Sequence, residues 1–170
     1  QKYSSENYTI PSVISRLIDK GQDNVFVFDR GVASREAFCN LDENNFSFVT
    51  RLNVNSRYVY LEDVSQPGNR VFRNLTITKD VRVFLYRTGT NVVEYPFRLL
   101  ITENEKGKGF WFLTNRFDLS CEEIINLYKH RWDIEVFFRF LKQELNFRHF
   151  ISVNENGIRI LLYMTLILSM

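Results

Sequence analysis

The chain has 170 residues, with 22 Lys and Arg against 20 Asp and Glu, for a formal charge of +2. That length suits one domain, with room for an insertion, and is enough to bury a core. The near balance of charge excludes a uniformly basic protein, so any surface for nucleic acid must come from local clustering. Cys39 and Cys121 stand apart, with no CxxC and no neighbouring His. They exclude a disulfide scaffold and a structural zinc site, and they suit a reducing cytoplasm.

In chain order, "IPSVISRLIDKGQ" places Ile10, Ile14, Leu17 and Ile18 at helical spacing and ends at Gly21, a good stop. "NVFVFDRG" follows, an apolar β-branched and aromatic run closed by an acid and a glycine. It reads as a buried strand, parallel and central in its sheet. "SREAFCNLDE" reads as a helix with Ser34 at its N-cap, and "NFSFVTRLN" as a second strand. Strand–helix–strand is the order of an α/β layer.

Between about residues 55 and 109 the pattern changes. "RYVYLEDV", "RVFRNLTIT", "VRVFLYRT", "VEYPFRLLIT" and "GFWFLTN" read as antiparallel strands separated by "QPGN", "RTGTN" and "NEKGKG". Arg70, Arg73, Arg82, Arg87 and Arg98 lie on them. These arginines either line a phosphate-facing surface or form the solvated outer face of the sheet. The expected organisation is therefore an α/β part over 1–54, a β-rich insertion over 55–115 and helices over 116–170.

"SCEE" is a capping box, with Ser120 at the N-cap and Glu123 three residues on. The helix after it is apolar on several sides, through Ile124, Ile125, Leu127, Trp132, Ile134, Val136, Phe138, Leu141 and Leu145, and so is expected to be buried. Asn126, Lys129, Asp133 and Glu144 form a stripe that faces water. A second polar stripe holds Tyr128, Arg131, Glu135 and Lys142. With Tyr128 as zero they fall near roughly 0, −60, −20 and −40°, with Arg139 near +20°, along about 21 Å of helix.

A carboxylate in a buried helix needs a partner or a metal. Arg131 lies four residues before Glu135, so an ordinary helical ion pair explains the acid cheaply. A ridge of a phenol, two guanidiniums and an ammonium around one acid also suits a polyanionic backbone. Asp29 is the other notable acid. Ligands of α/β sheets bind beyond the carboxyl ends of strands, which is where "VFVFD" puts it. Gly31 permits a sharp turn there, and Arg30 is suited to phosphate. Asp29 reads equally well as a turn residue before the next helix. The terminal run 158–170 is apolar but only about 13 residues, short of the roughly 20 that span a bilayer, and reads as a core helix.

"FVFDRG", the β-rich interval, "WFLTN" and Y-x(2)-R-x(3)-E-x(6)-K together resemble the DDE transposases of bacterial insertion sequences. The similarity is to the "insertion sequence four" branch with the Tyr-Arg-Glu-Lys (YREK) signature, carried here by Tyr128, Arg131, Glu135 and Lys142. It extends roughly over 25–142. The resemblance implies an RNase H-like α/β core, with the β insertion between the last core strand and the glutamate helix. It implies Asp29 and Glu135 as the second and third catalytic, metal-binding acids, using Mg²⁺ (or Mn²⁺). It makes Tyr128, Arg131 and Lys142 DNA contacts, with Arg30 and Arg139 beside them. The implied reaction is nicking of transposon ends and strand transfer on DNA, in a dimer that pairs two ends. Trp111 stands where relatives hold a flipped base, though "GFWFLTN" reads equally as a core strand.

The first acid of that family ends an early core strand. Upstream of Asp29 only Glu6, Asp19 and Asp23 are acidic among candidates, and none ends such a strand. Gln1 is not an initiator, and "LLYMTLILSM" stops in mid-pattern. The chain is therefore expected to be a catalytic-domain fragment of a DDE transposase, lacking the first acid and inactive alone, with the full-length parent as the enzyme. The alternatives are a non-catalytic, transposase-derived DNA-binding module, or an α/β domain without a nucleic-acid role.

Overall fold

The computed structural model describes residues 24–31, 34–65, 70–87, 91–93, 95–144 (backbone alone at 138 and 141–144), 156–157, 159–160 and 163–164. The expected helix over 10–21, and Glu6, Asp19 and Asp23, lie outside the described residues. Seven strands and two helices are β1 (Val25–Val27), α1 (Arg35–Glu43), β2 (Ser47–Leu52), β3 (Tyr58–Asp63), β4 (Val71–Phe72), β5 (Leu75–Leu85), β6 (Phe97–Asn104), β7 (Gly109–Thr114) and α2 (Cys121–Glu144). The described elements are thus mixed α/β. The chain divides into two compact units, Gln1–Lys129 and His130–Met170.

The strands form one sheet in the order β1-β2-β7-β6-β5-β3, with β4 paired to β5 off that path. β1 and β2 are parallel, joined through α1, and every other pairing is antiparallel. A parallel pair needs a crossover, and α1 supplies it. Ser34 caps α1 as expected, its Oγ accepting from Ala37 N at 3.3 Å. Asn45, at φ 58°, turns the chain out of the helix, a left-handed conformation that Asn tolerates.

Alternate residues of each strand serve opposite faces. Phe48, Leu99 and Leu113 join Phe38, Leu41 and Phe97 in a core under α1. Their neighbours Val49, Leu100 and Phe112 join Cys121, Ile124 and Ile125 in a core under the first turns of α2. Phe38 stacks on Phe48 at 5.2 Å between ring centroids and meets Phe97 edge-on at 6.3 Å. Much of the phenylalanine excess is spent in that first core.

Several expectations are corrected. Among the described residues β1 pairs only with β2, so it is an end strand and half-buried rather than central and buried. The runs "RVFRNLTIT" and "VRVFLYRT" do not make two separate strands. β4 turns back at Arg73, at φ 56°, and everything from Leu75 to Leu85 is one strand with a bulge between Ile77 and Lys79. α2 is not buried along its length. Cys121, Ile124 and Ile125 are buried, but Trp132, Ile134, Val136, Phe137 and Phe140 are exposed. Apolar side chains recur around the whole helix, whereas the sheet covers one side of its first turns. Ile160, Tyr163 and Met164 are likewise exposed where a core helix was expected. Among the described residues, no helix is long and apolar enough to cross a membrane.

Three of the strand arginines lie on a solvated face in surface ion pairs, and Arg73 is exposed with them; Arg98 departs from that pattern. Arg70 pairs with Glu122 (3.8 Å), Arg82 with Glu62 (2.9 Å) and Arg87 with Glu36 (3.7 Å). Arg73 donates to Asn126 Oδ1 at 3.1 Å. Arg98 is buried altogether, at 3% exposure, because Asp80 on the neighbouring strand is buried with it.

Candidate active site

Asp29 and Arg30 lie just beyond the carboxyl end of β1, after Phe28, and both are exposed. Asp29 Oδ1 accepts from the Arg30 backbone N at 2.6 Å, which orients the carboxylate over the turn. Beneath it lies Thr50 of β2, fully buried. Its Oγ1 donates towards the carbonyls of Phe28 (3.3 Å) and Asp29 (3.4 Å), fixing the strand end that carries the acid. Thr50 is a positioning residue the linear sequence does not flag. "FVTRL" reads as an ordinary strand, and the role arises only from the parallel register Val27–Val49.

Asn115, the last residue of "WFLTN", acts as a latch. Its Oδ1 accepts from Phe48 N at 3.0 Å, and its Nδ2 donates to Asp42 Oδ1 (2.8 Å) and Phe46 O (3.0 Å). Trp111 is half-buried, packs against the core under α1 and meets Tyr58 edge-on at 5.8 Å.

The start of α2 is set from two directions. The capping box forms as expected. Glu123 N donates to Ser120 Oγ at 3.2 Å, and Ser120 N donates to Glu123 Oε2 at 2.7 Å. Those hydrogen bonds hold the Glu123 carboxyl below its usual value. The second hold is the buried pair. Arg98 donates from Nε and Nη2 to the two oxygens of Asp80, each at 2.8 Å, and from Nη1 to the carbonyl of Leu119 at 2.5 Å. Burial works to raise the Asp80 pKa, but hydrogen bonds from Arg98 and Ser65 outweigh it and the net shift is downward. Cys121 lies against the pair, its Sγ 3.4 Å from Asp80 Oδ2, and burial pushes that thiol up.

α2 runs unbroken from Cys121 to Glu144, so Tyr128, Arg131, Glu135, Arg139 and Lys142 all lie on one helix. Tyr128 meets Phe112 edge-on at 5.5 Å, and the Arg51 guanidinium lies 5.7 Å from its ring centre. Arg131 donates from Nη1 to Glu135 Oε1, so the helical ion pair is present. Arg131 is largely covered and Glu135 is 40% exposed. Arg139 is exposed, and the side chain of Lys142 lies outside the described residues. Asp29 belongs to the first compact unit and Glu135 to the second.

Hard carboxylate oxygens are the donor type that Mg²⁺ and Mn²⁺ take. Asp29 and Glu135 match that type but fall short in number. Among the described residues no three His, Cys, Asp or Glu come together as a metal site.

The described frame is an α/β domain with helices on both faces of a mixed sheet and an exposed acid beyond a parallel strand. The family model described as "Transposase DDE domain" matches residues 3–170. A protein named as a transposase (y4zB) from Sinorhizobium fredii is 31% identical over 156 residues, 91% of this chain and 43% of its own length. The protein named for the transposase of insertion sequence element IS4SA, from Synechocystis sp., is 28% identical over 154 residues, 86% of this chain and 39% of its own length. That of element IS5377, from Geobacillus stearothermophilus, is 38% identical over 61 residues, 36% of this chain and 16% of its own. The chain belongs to the Transposase DDE domain family. It spans about two fifths of the length of the first two relatives and less of the third.

Proposed function

We propose that this chain is part of the catalytic domain of a DNA transposase that nicks transposon ends and joins them to target DNA. The observation that carries the reading is the family match over residues 3–170. The exposed Asp29 at the carboxyl end of β1 supports it. Asp29 and Glu135 are the two carboxylates of this chain that hold the metal, and a further acid comes from elsewhere in the protein. Divalent ions held there, Mg²⁺ or Mn²⁺, would supply Lewis acidity for phosphoryl transfer on DNA. Arg30, Tyr128, Arg131, Arg139 and Lys142 bind backbone phosphate and orient the strand. The parallel β1–α1–β2 unit, followed by α2, supports an RNase H-like core with the antiparallel strands as its insertion. Two copies pairing two DNA ends complete the assembly. The free, buried Cys39 and Cys121 suit the reducing cytoplasm where such a protein works.

The Arg131–Glu135 pair favours one other reading, a DNA-binding module in which Glu135 only braces the helix. The two readings separate in the full-length protein. Glu135→Gln removes charge but little volume, so strand transfer disappears while end binding persists. Strand transfer by that variant at the wild-type rate overturns the catalytic reading.

A further inference from the structure

Three cations converge beyond the carboxyl edge of the sheet. A cleft of about 360 Å³ is lined by Arg30 after β1, by Arg51 to Asn55 at the end of β2, and by Lys108 and Gly109 at the start of β7. That volume falls at the small end of ligand-binding clefts. β1 and β2 run parallel and β7 runs against β2, so the sheet topology itself brings these three chain segments to one edge.

The cleft lining itself carries no carboxylate, with the exposed Asp29 next to Arg30 at its edge. Arg30, Arg51 and Lys108 make no ion pair among the described residues. Aromatic rings hold two of them instead. The Arg51 guanidinium sits 4.6 Å from the Phe110 ring centre and 5.7 Å from that of Tyr128, and Lys108 Nζ lies 5.7 Å from the same Phe110 ring. Arg51 Nε is buried with no hydrogen-bond acceptor among the described residues. Cation–π contact holds a guanidinium in place without neutralising it. Two like charges on one ring repel each other, and an anion relieves that repulsion.

The walls are fixed as well. Asn104 Oδ1 accepts from Lys106 N at 3.1 Å and Lys108 N at 2.8 Å, with Gly107 at φ +72° closing the turn, so the Lys108 backbone is held. At Gly109 an added Cβ would come within 3.1 Å of Val54 Cγ1, so glycine leaves the cleft wall in place. We infer that Arg30, Arg51 and Lys108 form a contact site for DNA backbone phosphates at the carboxyl edge of the sheet, additional to the α2 stripe. This rests on the transposase reading. It makes Arg51 and Lys108 phosphate contacts and leads the bound strand past Asp29, the neighbour of Arg30.

The test is salt-dependent binding of this chain to a mixed-sequence duplex, read by fluorescence anisotropy. Each lost phosphate contact lowers the slope of log K against log salt by about 0.9. Arg30→Gln and Lys108→Gln are each expected to lower it by about that amount, and together by about 1.8. Lys79→Gln, on β5, should leave it unchanged. Both cleft positions are exposed, so the fold survives their substitution; Arg51→Lys adds a stacked position that keeps its charge. If the cleft variants match wild type while Arg139→Gln lowers the slope, the cleft assignment falls and the transposase reading stands. If the chain binds no duplex at any salt, the cleft assignment falls and the transposase reading still stands on the family match. Titration with inorganic phosphate alone, followed at Lys108 by NMR, separates the sources. Saturation by phosphate with no slope change in the variants marks an isolated anion site and overturns the backbone assignment.

Discussion

Replacing Arg98 by Met leaves the Asp80 carboxylate at 1% exposure without its bidentate partner. Breaking a buried pair from one side costs about 3–5 kcal/mol, because the remaining charge stays desolvated. The Leu119 carbonyl also loses its donor, 2.5 Å away in the intact protein, which adds to the cost. Domains of this size are stable by only about 5–15 kcal/mol. The substitution therefore removes a large share of the total, read as a fall in urea midpoint with unchanged m-value. Asp80→Leu with Arg98→Met removes the orphaned charge and recovers part of the loss. Recovery is incomplete because Leu119 O still lacks its Arg98 donor and Ser65 Oγ, which donates to Asp80 at 2.5 Å, loses that acceptor. The exposed Arg87–Glu36 pair is the contrast, its side chains 47% and 62% exposed, and Arg87→Ala should cost less than about 1 kcal/mol. The folded pKa of Asp80 lies below its ordinary 3.8. The unfolded chain therefore takes up the proton first as the medium is acidified. The contribution of Asp80 is complete above that value and is lost as pH falls through the folded pKa. An Arg98→Met cost below about 1 kcal/mol, or a double variant no better than the single one, would refute this account.

Three further outcomes follow from single groups. Ser120→Ala removes the reciprocal cap with Glu123 and should cost about 1 kcal/mol, with faster amide exchange confined to the first turn of α2. Burial, partly offset by Arg87, pushes the Cys39 thiol up to about 11. Native chain should therefore alkylate slowly at pH 8 and unfolded chain rapidly. Because the unfolded thiol ionises first, stability declines from pH 9 towards 11. The hydrogen bonds from Arg116 hold Asp118 down at about 2. Its NMR titration midpoint should move up towards 3.8 in Arg116→Gln, and an unmoved midpoint would assign the shift elsewhere.

What the sequence determined by itself was whatever depends on neighbours within a few residues. The Ser34 cap, the Ser120–Glu123 box and the Arg131–Glu135 pair span three or four residues of one helix, so helical spacing alone predicts them. Asp29 at a strand end was legible for the same reason, from an apolar run stopped by an acid and a glycine. The family resemblance rests on the same local motifs. Only the tertiary structure decided what depends on which strands lie side by side. β7, more than fifty residues after β2, pairs with it and separates it from β3, the strand that follows it in sequence. That single adjacency puts Lys108 beside Arg51 and Arg30. The β5–β6 register sets Asp80 and Arg98 together at the foot of α2. In the linear chain Arg98 is one strand arginine among five, with nothing to separate it from Arg70 or Arg82. Its burial follows from the face its strand presents, and so from a register fixed across long stretches of chain.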